Sequence, residues 1–205
     1  MAEIKMPELD TTPLKKAKLP IIWVLGGPGS GKGTLCDKIV ATFGFTHIST
    51  GDLLRADVQS GSERGKALNE IMTKGELVPT NVVLHLLAEK MISLVSTSKG
   101  FLIDGYPREL EQGKQFEKTI SPCDVILYLE ANDDVMIERL LNRGKTSGRA
   151  DDNEETIKKR LHTFHTHNDP IVQNYESKTK KISALNTPEG VFKEVEVILE
   201  ALIKK

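Results

Sequence analysis

The sequence predicts an α/β protein: a P-loop three-layer αβα sandwich built around a five-stranded parallel sheet. Three observations support this class. Short apolar runs alternate with longer amphipathic stretches along most of the 205 residues, as in folds with a parallel sheet. Several of the runs are continuously apolar, which is typical of strands covered on both faces. The first run leads directly into a glycine-rich loop, and a helical pattern follows that loop at once.

The elements alternate in chain order. The predicted strands are Ile21–Leu25, Thr46–Ile48, Phe101–Ile103, Val125–Leu129 and Lys180–Ala184. The predicted helices are Lys32–Phe43, Leu53–Ser60, Gly65–Lys74, Thr80–Val95, Leu110–Lys118, Asp133–Leu141, Glu154–Glu176 and Val191–Ile203. No internal repeat interrupts this order, so residues 21–205 are expected to form one domain.

Three segments depart from the alternation. Residues 1–20 mix acidic and basic side chains, which does not suit a targeting peptide, and we expect a loosely ordered amino-terminal tail. Between Ser49 and Pro79 two helices follow one strand, which predicts a small subdomain that stands off the sheet. Residues 142–152 are rich in glycine and charge and have no periodicity, which predicts a mobile loop.

Composition limits the possible partners. The net charge of −1 gives no overall attraction to nucleic acid or to an acidic membrane, so an anionic ligand needs a local basic cluster. No apolar run is long enough for a membrane span. The two cysteines, Cys36 and Cys123, have no metal-ligand spacing, and we expect reduced thiols in a cytoplasmic protein.

The loop after the first strand carries the strongest chemical signal. Gly26–Thr34 reads GGPGSGKGT between a strand and a helix. Glycines allow successive backbone N–H groups to point at one anion, and Lys32 adds a full charge among the β- and γ-phosphates. Gly33 replaces the usual hydroxyl residue after the lysine, so we expect no direct protein ligand to Mg²⁺, which phosphates and water would hold. Asp104, at the end of the third predicted strand, is a candidate to organise that water.

The glycine-rich loop alone does not show which class of nucleotide-binding protein this is, and the number and placement of the arginines are the next evidence. Five of them, Arg55, Arg108, Arg143, Arg149 and Arg160, follow strands or lie in irregular segments near the loop. Guanidinium groups match phosphate oxygens. Two phosphates brought within about 3–3.5 Å for transfer repel strongly, so several fixed cations are expected in an enzyme that joins two nucleotides. Such transfer needs no protein nucleophile or general base, and the sequence offers no convincing one.

Five motifs together resemble the adenylate kinase family. They are GGPGSGKGT at Gly26–Thr34, STGDLLR at Ser49–Arg55, GELVP at Gly75–Pro79, FLIDGYPRE at Phe101–Glu109 and RGKTSGRADDNEETIKKR at Arg143–Arg160. The resemblance covers nearly everything after residue 20 and is to members with a short lid. It implies reversible, Mg²⁺-dependent phosphoryl transfer, ATP + AMP = 2 ADP, with residues 49–78 as the AMP-binding subdomain and 142–152 as the lid. It includes no inserted zinc site, so structural zinc is not expected.

The resemblance also implies individual roles. The ATP site would comprise Gly29, Ser30, Gly31, Lys32, Gly33, Thr34, Arg143 and Gly190. The AMP site would comprise Thr50, Arg55, Glu76, Leu77, Val78, Gly105, Tyr106, Pro107, Arg108, Gln112, Arg149 and Arg160. The catalytic groups would be Lys32, Asp104, Arg108, Arg143, Arg149 and Arg160. Both nucleotides can bind one chain, so we expect a monomer with ATP, AMP and ADP as its only partners.

Two alternatives remain at this point. A UMP/CMP kinase shares the fold and the chemistry, but its second and third motifs, as the resemblance implies, tend to read SAGELLR and GFPRN. This chain has Thr50, Asp52, Tyr106 and Glu109 there, and Gln112 is available to read adenine. A nucleotide-gated binding protein would have no second substrate. Such switches usually carry a guanine-reading Asn/Thr-Lys-x-Asp segment, which this sequence lacks.

Overall fold

Five parallel strands form a single sheet in the computed structural model, which describes residues 6–204. The strands are β1 (Ile21–Gly26), β2 (Thr46–Ser49), β3 (Phe101–Asp104), β4 (Val125–Glu130) and β5 (Thr179–Ser183). Their order across the sheet is β2-β3-β1-β4-β5. The chain therefore moves to one side of β1 for β2 and β3 and to the other side for β4 and β5. Ligands bind at such a switch in strand order, beyond the carboxyl ends of the strands.

Helices cover both faces of this sheet. They are α1 (Thr12–Ala17), α2 (Lys32–Phe43), α3 (Thr50–Gln59), α4 (Glu63–Thr73), α5 (Thr80–Leu94), α6 (Leu110–Thr119), α7 (Asp133–Ser147), α8 (Glu154–Asn174) and α9 (Pro188–Ile203), with a 3₁₀ turn at Glu176–Lys178. Side chains of β1 alternate between two cores: Trp23 and Leu25 pack toward α5 and α6, whereas Ile22 and Val24 pack toward α2 and α9. The predicted three-layer sandwich with a five-stranded parallel sheet is confirmed.

Local sequence accounts for where the helices begin and end. Side chains cap the amino ends of α4, α7 and α8: Ser62 accepts from the Gly65 N–H, Asn132 from Val135, and Asn153 from Thr156. Each bond satisfies a backbone donor that the first helical turn leaves free. The carboxyl end of α2 lies at Gly44, whose φ of 69° is a left-handed value that glycine tolerates best. These signals explain why the predicted helix boundaries agree with the observed ones to within a few residues at most ends.

The amino-terminal tail differs from the prediction of loose order. Residues 1–5 lie outside the described part of the chain, but Thr12–Ala17 forms α1. Leu14 is buried in the main core, and the Thr11 hydroxyl donates to the Thr119 carbonyl over 2.7 Å. A six-residue helix is too short to show a helical period in the sequence, so its packing could not be predicted.

The segment 142–152 also differs from the predicted irregular loop. Helix α7 continues to Ser147 and ends at Gly148, whose φ is 64°, so only the residues from Gly148 to Asn153 are irregular. Gly144 lies inside the helix despite its low helix propensity. A Cβ at Gly144 would lie 2.7 Å from the Asp152 carbonyl oxygen, so glycine lets the returning chain pack against α7. Tertiary packing here overrides the local composition.

Across residues 6–204, no helix combines the length and the apolar character needed to span a bilayer.

Candidate active site

A cleft of 760 Å³ opens at the carboxyl edge of the sheet. Its floor is the loop after β1 together with the end of β3, and its walls come from α3, the segment 75–78, α7, α8 and the turn before α9. Cations outnumber carboxylates among the lining residues by seven to five, although the whole chain has a net charge of −1. The cleft therefore contains the local basic cluster that an anionic ligand requires.

The glycine-rich loop holds Lys32 over its own backbone. The Lys32 ammonium donates to the carbonyls of Gly26 and Gly27, each over 2.8 Å. Burial lowers the pKa of Lys32 to about 8, while the nearby Asp104 carboxylate acts in the opposite direction. Gly29 has a φ of 81°, and a Cβ on it would lie 2.6 Å from the Met136 carbonyl oxygen. A larger residue cannot occupy this position without displacing α7 from the loop.

Arg55 and Arg108 form the side of the cleft nearest α3. Arg55 pairs with Asp52, one turn earlier on the same helix. The Arg108 Nε donates to the Gly105 carbonyl over 3.1 Å, and the Arg108 backbone N–H donates to Gln112 Oε1 over 2.9 Å. Solvent in the cleft reaches the Arg108 guanidinium, but surrounding protein and the charge of Arg160 lower its pKa to about 10. It remains a cation at neutral pH.

Arg143, on α7, and Arg160, on α8, share one carboxylate. Arg143 makes a two-pronged pair with Asp152, at 2.7 Å from Nε to Oδ2 and 2.8 Å from Nη2 to Oδ1. Arg160 Nη1 lies 3.1 Å from Asp152 Oδ1 and 2.9 Å from Asp151 Oδ2. Burial raises the pKa of Asp152, but hydrogen bonds and charge from Arg143, with the charge of Arg160, outweigh it and leave the pKa below the ordinary value.

Arg149 connects the two walls. Its Nη2 lies 3.5 Å from Asp52 Oδ1, the carboxylate that also pairs with Arg55. Segments 97 positions apart in the chain thus meet above the loop. The carboxylates of Asp52, Asp151 and Asp152 hold the arginines in place, and each pair can exchange its carboxylate for a phosphate.

Most of the predicted site residues line this cleft. They are Gly29, Ser30, Gly31, Lys32, Gly33, Thr34, Arg55, Glu76, Leu77, Val78, Asp104, Gly105, Pro107, Arg108, Arg143, Arg149 and Arg160. Three others lie directly behind the wall. Thr50 donates to the carbonyls of Asp104 and Gly105, and the Tyr106 hydroxyl donates to the Gln112 carbonyl over 2.7 Å. Gln112 itself is buried and accepts from Arg108.

Gly190 does not line the cleft. It lies in the first turn of α9, where its N–H donates to the Thr187 hydroxyl over 3.2 Å. Asn186 and Pro188, from the same segment, face the cleft instead.

The sequence reasoning missed Arg139. This residue lies on α7, lines the cleft, and donates to the carbonyls of Ala184 and Ser30 over 3.1 and 3.5 Å. It therefore ties α7 to the glycine-rich loop and to the end of β5. Its spacing was an available signal, because a residue four positions before Arg143 shares its face when the helix continues. The prediction that the helix ended at Leu141 concealed that relationship.

Fold and cleft together define a P-loop phosphotransferase of the α/β class, with one phosphate-binding loop facing several arginines. The family model described as adenylate kinase matches residues 24–180. Adenylate kinase isoenzyme 1 from Bos taurus is 56% identical over 191 residues, which cover 92% of this chain and 97% of the relative. The isoenzyme 1 proteins of Homo sapiens and Gallus gallus are 55% and 54% identical, over 92% and 95% of this chain and 97% and 100% of theirs. The chain belongs to the adenylate kinase family.

Proposed function

We propose that this protein catalyses the reversible reaction ATP + AMP = 2 ADP. The single observation that carries the proposal is the convergence of four arginines from separate elements, Arg55 and Arg108 with Arg143 and Arg160, on the cleft that contains the loop of Lys32. A protein that binds one nucleotide needs cations around one phosphate chain only. Cations that reach one cleft from several separate elements suit two phosphate chains that meet within it.

ATP occupies the side of the glycine-rich loop. Residues 29–34 would surround the β- and γ-phosphates with backbone N–H groups at the amino end of α2, where the helix dipole also favours an anion. Lys32 would exchange its two carbonyl partners for phosphate oxygens, which raises its pKa and keeps it protonated. Arg139 and Arg143 approach from α7, and Asn186 and Pro188 stand where the adenine would lie.

AMP occupies the side of Arg55 and Arg108. The segment from Gly75 to Val78 also lines the cleft, so a purine can lie along its backbone while its phosphate points at the arginines. Gln112 orients Arg108 through the backbone N–H bond described above. To read adenine as well, the Gln112 amide would have to turn from this bond toward the base.

Charge explains the number of arginines. Two unit charges about 4 Å apart repel by about 4 kcal/mol at an effective dielectric of 20, and each phosphate group carries more than one charge. Arg108, Arg149 and Arg160 lie between the two sites and can offset that repulsion as the phosphates approach. The same cations stabilise the charge on the transferred group, which is the main catalytic requirement in phosphoryl transfer.

The donor set also fits Mg²⁺. The Asp104 carboxylate lies at the end of β3 with 12% of its side chain exposed, beside the loop that would hold the phosphates. Oxygen donors suit this hard ion, and Gly33 supplies no hydroxyl, so Asp104 would hold it through water while the phosphates bind it directly. When bound, Mg²⁺ neutralises charge on the β- and γ-phosphates.

We infer that residues 49–78 and 142–152 act as the AMP-binding subdomain and the lid. The Arg149–Asp52 contact joins these two segments above the loop, and closure there would exclude water that could otherwise accept the phosphoryl group. One chain carries both sites, so a monomer suffices. Both cysteines, Cys36 and Cys123, are free, which suits action in the reducing cytoplasm.

A coupled assay for ADP tests the proposal. We expect ADP from ATP plus AMP with Mg²⁺ and none when AMP is omitted. ADP formation without AMP would favour a nucleotide-gated binding protein, and faster turnover of UMP or CMP than of AMP would favour the pyrimidine kinase. Identity of more than 50% to isoenzyme 1 proteins over most of the chain supports AMP.

A further inference from the structure

Three potential metal ligands from separate elements converge below the glycine-rich loop. Cys36 lies on the first turns of α2, His47 on β2, and Asp104 at the end of β3. Their ligand atoms, one sulfur, one imidazole nitrogen and one carboxylate oxygen, all lie within 4.8 Å of one another. No other such group of three or more occurs among residues 6–204.

One of these three ligand atoms, the His47 Nε2, has an unmet hydrogen-bonding requirement. His47 Nε2 is buried and has no hydrogen-bond partner within the described residues, although it stands 3.5 Å from Asp104 Oδ2. The Cys36 side chain is fully buried, and burial, with the charge of Asp104, raises the pKa of its thiol well above the ordinary value. A buried nitrogen without a partner is unfavourable, and a cation between the three atoms would satisfy all of them.

The spacing suits a tetrahedral ion. Bonds of about 2.3 Å to sulfur and about 2.0–2.2 Å to nitrogen and oxygen place ligand atoms roughly 3.3–3.6 Å apart. The 3.5 Å between His47 and Asp104 already meets this requirement, and the remaining pairs, at 4.8 Å or less, need to contract by about 1.2–1.5 Å at most. Thiolate and imidazole select a borderline or soft ion such as Zn²⁺ over Mg²⁺, which prefers oxygen.

We propose that Cys36, His47 and Asp104 form an inhibitory site for a thiophilic divalent cation, with Zn²⁺ as the best match. The thiol proton leaves to solvent when the cation binds, and water from the cleft supplies the fourth ligand. This inference rests on the proposed function in one respect: occupancy withdraws the Asp104 carboxylate from the magnesium and phosphate chemistry above it.

Cobalt provides a readout that does not depend on activity. The nucleotide-free protein is titrated with Co²⁺, and the thiolate-to-cobalt charge-transfer absorption is followed and then displaced with Zn²⁺. Cys36→Ser removes the sulfur ligand, and Cys123→Ser is the matched control because Cys123 is the other buried, free cysteine. His47→Gln, at a ring that is 22% exposed, is a second ligand variant in case Cys36→Ser fails to fold.

We expect one equivalent of Co²⁺ to produce the band in the wild type and in Cys123→Ser. The band should be absent in Cys36→Ser, and affinity should fall at least 10–100-fold in His47→Gln, since even outer-shell changes at metal sites cost that much. Absence of the band in the wild type, or its persistence in Cys36→Ser, would overturn the proposal.

Inhibition is measured with free Zn²⁺ buffered at a fixed concentration, so that chelation by nucleotides affects every variant equally. Wild type and Cys123→Ser should lose activity together, while Cys36→Ser should require at least 10–100-fold more free Zn²⁺ for the same loss. Equal sensitivity of all three would show that the triad is not the inhibitory site. If the wild type transfers no phosphoryl group even without zinc, the proposed function fails, and the cobalt spectrum still decides the metal site.

Discussion

Replacing Asp152 with asparagine should destabilise the fold, because this carboxylate neutralises two arginines at once. Its side chain is fully buried, and it receives three charge-assisted hydrogen bonds, two from Arg143 and one from Arg160. Removing one partner of a buried ion pair costs about 3–5 kcal/mol. Arg143 is about one-third exposed, and Arg160 keeps its pair with Asp151, so we lower the expected loss to about 2–3 kcal/mol.

Thermal unfolding followed by circular dichroism measures this loss. For a chain of this length it corresponds to a fall in Tm of about 4–12 °C at pH 7.

The folded-state pKa of Asp152 is below the ordinary value of 3.8, so its stabilisation is complete above that value and disappears as the pH falls through the folded pKa. The difference between wild type and variant should therefore vanish in acid. Glu138→Gln, at an exposed position of α7, should change the free energy of unfolding by less than about 0.5 kcal/mol. Equal Tm values for wild type and Asp152→Asn would refute this reasoning.

Three further predictions concern the loop, the acceptor side and the glycines. The pKa of Lys32 is about 8, so kcat/KM for ATP should fall by up to about tenfold per pH unit above pH 8. Binding of adenosine, which has no phosphate, should stay constant over the same range, and a flat kcat/KM profile to pH 10 would contradict this prediction. Arg108→Ala should lower kcat/KM for AMP by about 100-fold or more and disturb ATP binding less; equal losses for both nucleotides would argue against separate sites. The control Arg64→Ala loses its pair with Asp57 and a contact with Met6 Sδ, both outside the cleft, and should keep normal kinetics. Gly33→Ala should raise the free energy of unfolding by about 0.5–1 kcal/mol, since a Cβ there meets nothing within 4 Å. Gly65→Ala should lower it by about 1–3 kcal/mol, because a Cβ there would lie 2.3 Å from the Asp57 carbonyl oxygen. Shifts of the same sign in urea unfolding would contradict this description of the packing.

Local sequence predicts the fold class and the loop because both depend on short-range signals. A buried strand, a run of glycines and a helix occupy consecutive positions around Lys32, so one segment contains the entire anion-binding arrangement. The strands are identifiable since each is a short apolar run between turn residues. Their order across the sheet depends on contacts between distant segments, and no short segment encodes that order.

The missed features share a physical cause. Helix α7 continues through Gly144, and Asp152 packs against the helix at that glycine. This contact joins residues on the two sides of the irregular turn that follows the helix. Arg139 became relevant only once the helix was continuous. Likewise, Cys36 and His47 have no metal-ligand spacing in the sequence, and they meet at Asp104 because β2 pairs with β3. Local propensity describes each segment correctly, but tertiary contacts decide which side chains become neighbours.

Binding of a bisubstrate analogue, two adenosines joined through a polyphosphate chain, tests the central claim that one chain holds two nucleotides with their phosphates among the arginines. Calorimetry should give one analogue per chain, and ATP and AMP should each compete for it through its own half. Arg108→Ala should weaken the analogue while leaving ATP affinity nearly unchanged. If AMP fails to compete, or if the analogue binds no more tightly than ATP alone, the second nucleotide site does not exist.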